Sequence, residues 1–245
     1  MPTPPQQDAF AYAMSSNQAW AGYKGHQNPE FFPKLATGQK PAILWLGCSD
    51  SRCPETTILG LQPGDVFVHR NIANIVSPTD INTSAVIEYA VTQLQVKHVV
   101  LCGHTSCGGA AATLAGGRVG GVLDLWLSPL RALRHAHEEE LTALGGAGGD
   151  KTAATTRLAE LNVEAGIRVL MANPVIQDAV AERGLQVHGT LFDIASGRIR
   201  DLGLGTNKGK GLRSGHSVGS DGEVVRGRYA TLVFQTDGAA GMQVC

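Results

Sequence analysis

Two short stretches carry residue types that could hold a metal and act on a small electrophile. One is Cys48-Ser49-Asp50-Ser51-Arg52; the other is His104-Thr105-Ser106-Cys107-Gly108-Gly109. Two thiolates and an imidazole are the ligand set of a catalytic zinc whose fourth position is left for water. Read singly, these residues say less. A lone His-x-x-Cys loop fits a satisfied core histidine, and a lone buried cysteine behaves as a small hydrophobe. The pairing points to metal, because each stretch follows an apolar run and opens into small residues.

Charge sets what such a centre could do. Two thiolates cancel the formal charge of zinc, so a bound water is acidified less than by three imidazoles. Its pKa still falls from about 15.7 to the neutral region or a little above. A carboxylate that reached the metal would fill the open position. Arg52 can hold Asp50 in a bidentate pair and keep it away. So held, Asp50 can accept a hydrogen bond from the nucleophile and aim its lone pair. A surface ion pair is the plain alternative for the same two residues. Cys53, close to Cys48, leaves a thiol redox or zinc-storage role open. Cys102 reads as core, and Cys245 is terminal.

Positioning these residues takes strands. Ala42 to Gly47 and His98 to Gly103 are apolar runs too short for soluble helices, and both empty into the loops just described. Val66 to Arg70 reads as a further strand. Helices are expected over Ala9–Gly25, Pro29–Ala36 (capped by Asn28), Pro54–Leu59, Thr83–Gln95 (capped by Asp80) and Cys107–Ala115. Further helices are expected over Val122–Glu140, kinked or interrupted near Pro129, over Lys151–Ala172, and over Val175–Arg183. Leu185–Ile194 and the segment from Arg198 read as a hairpin on a sheet edge. This alternation predicts an α/β single domain with a central, mostly parallel sheet flanked by helices. Ligand sites in such sheets lie beyond the carboxyl ends of the strands, which is where both loops fall.

The expected organisation is a helical arm over 1–37, a zinc-binding α/β catalytic domain over 38–203, and a C-terminal extension over 204–245 in which only Tyr229–Thr236 has strand character. Phe10, Tyr12, Met14, Trp20 and Tyr23 give the arm an apolar face for its own domain or for a second subunit. Residues 1–8 read as disordered or docked on a neighbour. The chain has 245 residues, 43% hydrophobic and 17% charged, enough for a substantial core. A net charge of −1 with no like-charge block gives no surface for nucleic acid or anionic membrane. Lys208-Gly209-Lys210 fails the Walker spacing. No apolar stretch approaches the roughly 18 residues of a membrane-crossing helix. Five cysteines, an odd number, fit a reducing compartment, so cytoplasm is expected.

Cys48-Ser49-Asp50-Ser51-Arg52, His69-Arg70-Asn71-Ile72-Ala73-Asn74, Glu88-Tyr89-Ala90 and Gly103-His104-x-x-Cys107-Gly108-Gly109 resemble the β-class carbonic anhydrases. The similarity runs from about Gln39 to Leu202. It implies reversible hydration of carbon dioxide to bicarbonate and a proton by attack of zinc-bound hydroxide, on one Zn2+ per subunit. It implies Cys48, His104 and Cys107 as metal ligands, Asp50 and Arg52 as the catalytic dyad, and Gln39, Phe67, Ile72, Tyr89 and Gly108 as the substrate pocket. Gln39, Phe67 and Tyr89 would come from the partner in a homodimer or homotetramer; core packing is the simpler reading of the two aromatics. A subset of the family carries an inhibitory bicarbonate site whose Trp, Gly and Arg match Trp45, Gly47 and Arg70. Cys53 stands where valine is usual and Phe192 where the subset has tyrosine. Phe192 lacks the hydroxyl to bond an anion, so weak or absent bicarbonate regulation is expected. Hydrolysis of a sulfur analogue such as carbon disulfide would suit the same ligands.

Overall fold

A computed structural model describes residues 8–145, 149–206, 230–234 and 240–244. The elements run α1 (Ala9–Gln27), α2 (Phe31–Ala36), β1 (Ile43–Cys48), α3 (Glu55–Leu59), β2 (Val66–Asn71), α4 (Ile81–Glu88) and β3 (His98–His104). They continue with α5 (Gly108–Ala115), α6 (Gly121–Trp126), α7 (Ser128–Ala136), α8 (Glu138–Gly145), α9 (Lys151–Ala172) and α10 (Pro174–Arg183). Strands β4 (Gln186–Asp193) and β5 (Arg198–Gly205) follow, then β6 (Ala230–Phe234) and β7 (Ala240–Val244).

The main sheet has the order β2-β1-β3-β4-β5. β1, β2, β3 and β4 are parallel; β5 returns antiparallel on the edge. From β1 the chain moves to one side to make β2, then crosses to the other side for β3. The strand order therefore reverses between β1 and β3, and a crevice opens beyond their carboxyl ends. Cys48 ends β1 and His104 ends β3. The topology alone brings the two loops together.

One sheet face is sealed by α4, α9 and α10. Leu44, Leu46, Val99, Leu101, Leu170 and Val187 are buried there, each fully buried leucine contributing about 1.5–3 kcal/mol. Helix α9 lies close on β3 because two glycines permit it. A Cβ at Gly166 would come within 2.5 Å of Leu101 Cδ2, and one at Gly103 within 2.9 Å of Val163 Cγ2. A second cluster, under α5, α7, α8 and α9, holds Leu127, Leu130, Leu158 and Leu161 together with Cys48 and Cys107. Across the sheet a smaller cluster contains Trp45, Cys53, Cys102 and Phe192.

Several expected boundaries shift. The helix expected over Thr83–Gln95 is α4 followed by one π-helical turn, Tyr89–Gln93, where the Leu94 N–H donates to the Tyr89 carbonyl. The Val122–Glu140 helix is interrupted at Leu127, ahead of Pro129 as expected, and breaks a second time at His137, which was not expected. Asn28 closes α1, its N–H donating to the Lys24 carbonyl, and its Oδ1 accepts from the Glu30 N–H at 3.2 Å in the turn before α2, which begins at Phe31. Pro54 caps α3 from outside, Pro174 opens α10, and β5 runs past residue 203 to Gly205. Asp8 is ordered as the α1 cap, accepting from the Ala11 N–H at 2.9 Å. The expected strand near Tyr229 is β6, paired with a β7 that the composition did not signal. Residues 1–7, the Lys208-Gly209-Lys210 thread, part of the loop after Gly145, and Cys245 lie outside the described residues.

Candidate metal centre

The three ligand candidates converge. One donor atom each from Cys48, His104 and Cys107 lies within 4.8 Å of the others, and all three residues are buried. Parallel pairing delivers Cys48 and His104 at neighbouring strand ends, and Cys107 comes in as the residue that caps α5. His104 Nδ1 donates to the Thr105 carbonyl at 2.9 Å, which leaves the lone pair on Nε2. That Nε2 is buried and has no hydrogen-bond partner. A sealed, unpartnered acceptor nitrogen facing two thiols is costly unless a cation occupies the space between them. The donor set fits a zinc ion.

Electrostatics point the same way. The hydrogen bond from the Cys107 thiol is the largest influence on Cys48 and lowers its pKa to about 4; burial opposes, and His104 and the Asp50 backbone assist. The same bond pushes the Cys107 thiol up, and burial adds to it. Burial pulls His104 down, but the Cys48 thiolate, the Thr105 carbonyl and Asp50 outweigh it and the imidazole is raised.

Asp50 and Arg52 form the bidentate pair. Arg52 Nε donates to Oδ1 at 2.9 Å and Nη2 to Oδ2 at 2.7 Å, while the Arg52 backbone N–H donates to Oδ1 at 3.0 Å. These bonds hold the Asp50 carboxyl well below the usual carboxylate range against the penalty of burial. Arg52 Nη2 also donates to the Ser106 carbonyl at 3.2 Å, tying the first loop to the second. Asp50 Oδ2 stands 3.9 Å from His104 Nε2, beside the ligand atoms.

Two supporting contacts were not legible in the sequence. Arg70 donates from Nε to the Cys48 carbonyl at 2.7 Å and from Nη2 to the Asp50 carbonyl at 2.5 Å, with Glu55 Oε2 3.7 Å from Nη1. It clamps the backbone of a ligand and of the acid together. Thr105 ties the second loop to β4: its N–H donates to the Phe192 carbonyl at 2.9 Å and its hydroxyl to Asp193 at 3.1 Å. Only the His69-Arg70-Asn71 motif hinted at the first; nothing hinted at the second.

The pocket candidates divide. Gly108 follows the ligand candidate Cys107, and Ile72 follows Asn71, the β2 partner of Cys48; a Cβ on Gly109 would lie 3.7 Å from Ile72 Cγ2. Phe67 and Tyr89 stack with ring centroids 5.6 Å apart, and Phe67 packs on the first cluster, apart from Cys48 and Cys107. Gln39 is exposed ahead of β1, at the end of that strand opposite Cys48. Cys53 belongs to the cluster across the sheet from Cys48, and both thiols are free, so a redox pair is not formed.

A buried site of two sulfurs and one nitrogen at the switch point of a parallel α/β sheet defines a zinc-enzyme class. A family model described as carbonic anhydrase matches residues 43–199. The carbonic anhydrase of Emericella nidulans is 45% identical over 190 residues, covering 77% of this chain and 81% of the relative. Among solved structures, one of two tetrameric β-carbonic anhydrases from Sordaria macrospora is 70% identical, with a TM-score of 0.78 over 80% of this chain and 98% of its own. The β-carbonic anhydrase CafA of Aspergillus fumigatus is 55% identical, with a TM-score of 0.76 over 80% of this chain and 91% of its own. The chain belongs to the β-carbonic anhydrase family, whose reaction is the hydration of carbon dioxide.

Proposed function

We propose that this enzyme interconverts carbon dioxide and bicarbonate on one zinc per subunit held by Cys48, His104 and Cys107, with Asp50 and Arg52 as the working dyad. The observation that carries the reading is the sealed, unpartnered His104 Nε2 facing two thiols. Zinc bound there would supply the Lewis acidity that makes water a nucleophile near neutral pH.

The protein's own groups do the rest. Arg52 engages both Asp50 oxygens, keeps the carboxylate ionised and would hold it away from a metal bound by Cys48, His104 and Cys107. Asp50 would accept a hydrogen bond from the O–H of the nucleophile and so fix which lone pair faces the carbon. Arg70 steadies both residues through their carbonyls. Ile72 and Gly108 offer an apolar wall to a non-polar substrate.

Gln39, Phe67 and Tyr89 complete the pocket from a partner subunit. Their placement away from this chain's own ligands supports that reading. So does α1, which buries none of its residues and leaves Phe10, Tyr12 and Tyr23 each more than half exposed. The assembly we read is a homodimer or homotetramer, and four free cysteines among the described residues suit the cytoplasm. Phe192 is buried beside Trp45 without a hydroxyl, so bicarbonate should leave the rate versus concentration curve free of cooperative inhibition.

The test is stopped-flow hydration alongside metal analysis. One zinc per chain with fast hydration supports the proposal. A zinc-loaded chain that hydrates carbon dioxide no faster than buffer would refute it.

A further inference from the structure

Each hydration event releases a proton that must leave the site, and the dyad cannot carry it: Asp50 is locked to Arg52 and held ionised. An exporting group needs a free lone pair, a neutral resting state and a position near the site.

The imidazoles divide clearly on these criteria. His98 and His188 bond to each other at 3.1 Å, and His98 begins the strand that His104 ends. At about 3.3 Å per residue His98 stands about 20 Å and His188, level with Val100, about 13 Å back along the sheet from the ligand end of β3. His135 and His137 are taken up by Glu138 and Glu140. His69 is different. It pairs with Leu46 on β1, one row back from Cys48–Asn71 on the same sheet face.

His69 is also held in a particular way. Its Nε2 lies 3.0 Å from Thr83 Oγ1, and that hydroxyl lies 2.5 Å from Asp80 Oδ2. Thr83 has a single proton, and the short contact commits it to the carboxylate. Nε2 must then carry the ring proton and donate to Thr83. Asn71 Nδ2, 3.4 Å from Nε2, gives its firm bond to the Ile75 carbonyl at 2.9 Å and does not compete. The lone pair is left on Nδ1, which has no partner among the described residues, on a ring only half-buried.

We propose that His69 Nδ1 accepts the proton released by hydration, through water, and passes it to buffer, with Thr83 and Asp80 fixing the tautomer and supporting the cation. The cycle balances: carbon dioxide and water give bicarbonate and a proton, Nδ1 takes that proton, and a buffer base removes it. Nε2 keeps its own proton throughout. Burial lowers the His69 pKa and keeps the resting ring neutral, while Asp80, the charged group acting on it, pulls the other way and favours the loaded state. His69 is a proton-transfer residue, not a ligand of substrate or metal.

The inference rests on the hydration reading, and the experiment separates the two. In the zinc-loaded parent, kcat/KM reports hydration; the dependence of kcat on buffer concentration reports proton export. His69→Gln should lower kcat about tenfold or more in dilute buffer, leave kcat/KM and zinc content in place, and recover kcat in added imidazole. Nitrogen NMR of the parent should show His69 neutral and protonated at Nε2, and Thr83→Val should disturb that signature. Parental kcat for His69→Gln in dilute buffer, or a loss that imidazole does not restore, would overturn the proposal. So would a parent whose His69 is protonated at Nδ1. A zinc-loaded parent with no hydration at all would sink the hydration reading instead, and this proposal with it.

Discussion

Four buried cysteines lie on the two faces of one sheet, and their environments are opposite. On one face Cys48 is pulled down to about 4 by the Cys107 thiol, with His104 adding to the pull. On the other, burial pushes Cys53 up to about 11 and Cys102 up to about 12. Cys102 spends its S–H on the Gly103 carbonyl at 3.2 Å, and its neighbours are Trp45 and Phe192. Depth does not separate the pairs: Cys48 is 7% exposed and Cys53 6%. What separates them is company. A thiol becomes a ligand where a second thiol and an imidazole with a bare nitrogen share its space, and it stays protonated where burial dominates and no imidazole joins it, even with Asp50, Arg52 and Arg70 acting on Cys53.

The comparison breaks most sharply at the ligand pair. Cys107→Ser should lose zinc and hydration together, read by metal analysis and stopped flow; a variant that kept full metal and rate would place Cys107 with the inert pair. Next is the dyad. Asp50→Ala should retain zinc yet lose about 10- to 100-fold or more in rate, the scale of groups that orient a metal's partners. Hydration at the parental rate would remove Asp50 from the mechanism.

Acidification gives a subtler test. Zinc needs both thiolates and a bare imidazole nitrogen, while the metal-free site raises His104 and Cys107. Protons therefore compete with the metal increasingly as pH falls, and zinc affinity should weaken monotonically on acidification. Flat affinity across the neutral to acidic range, by competition with a chelator, would contradict the assigned ligands. The smallest effects belong to the inert face. Cys53→Val and Cys102→Ala should keep zinc and rate, each costing about 1 kcal/mol in denaturant unfolding through repacking.

The ligand set could be read from the chain because two apolar runs of strand length end in loops of small polar residues. A parallel sheet then leaves those loops little choice of place. The long helix α9 was legible to the residue, since Asn173-Pro174 stops it at one end; the Asp150 cap at the other was found only in the structure. Local periodicity failed where geometry departs from a regular helix. The π-helical turn at Tyr89 keeps apolar spacing while widening the hydrogen bonds, and α8 restarts at Glu138 with no proline to mark the break. Arg70 was invisible as a clamp for another reason. Its partners are the carbonyls of Cys48 and Asp50, about twenty residues away, and no side-chain pattern marks a backbone acceptor.

The central claim is that a metal sits between Cys48, His104 and Cys107 with Asp50 restrained beside it. A crystal structure of the zinc-loaded enzyme near neutral pH tests it most directly. We predict zinc on those three side chains, a light atom in the fourth position, and both Asp50 oxygens still bonded to Arg52. A metal elsewhere, or an Asp50 carboxylate bound to the zinc in that fourth position, would contradict the account.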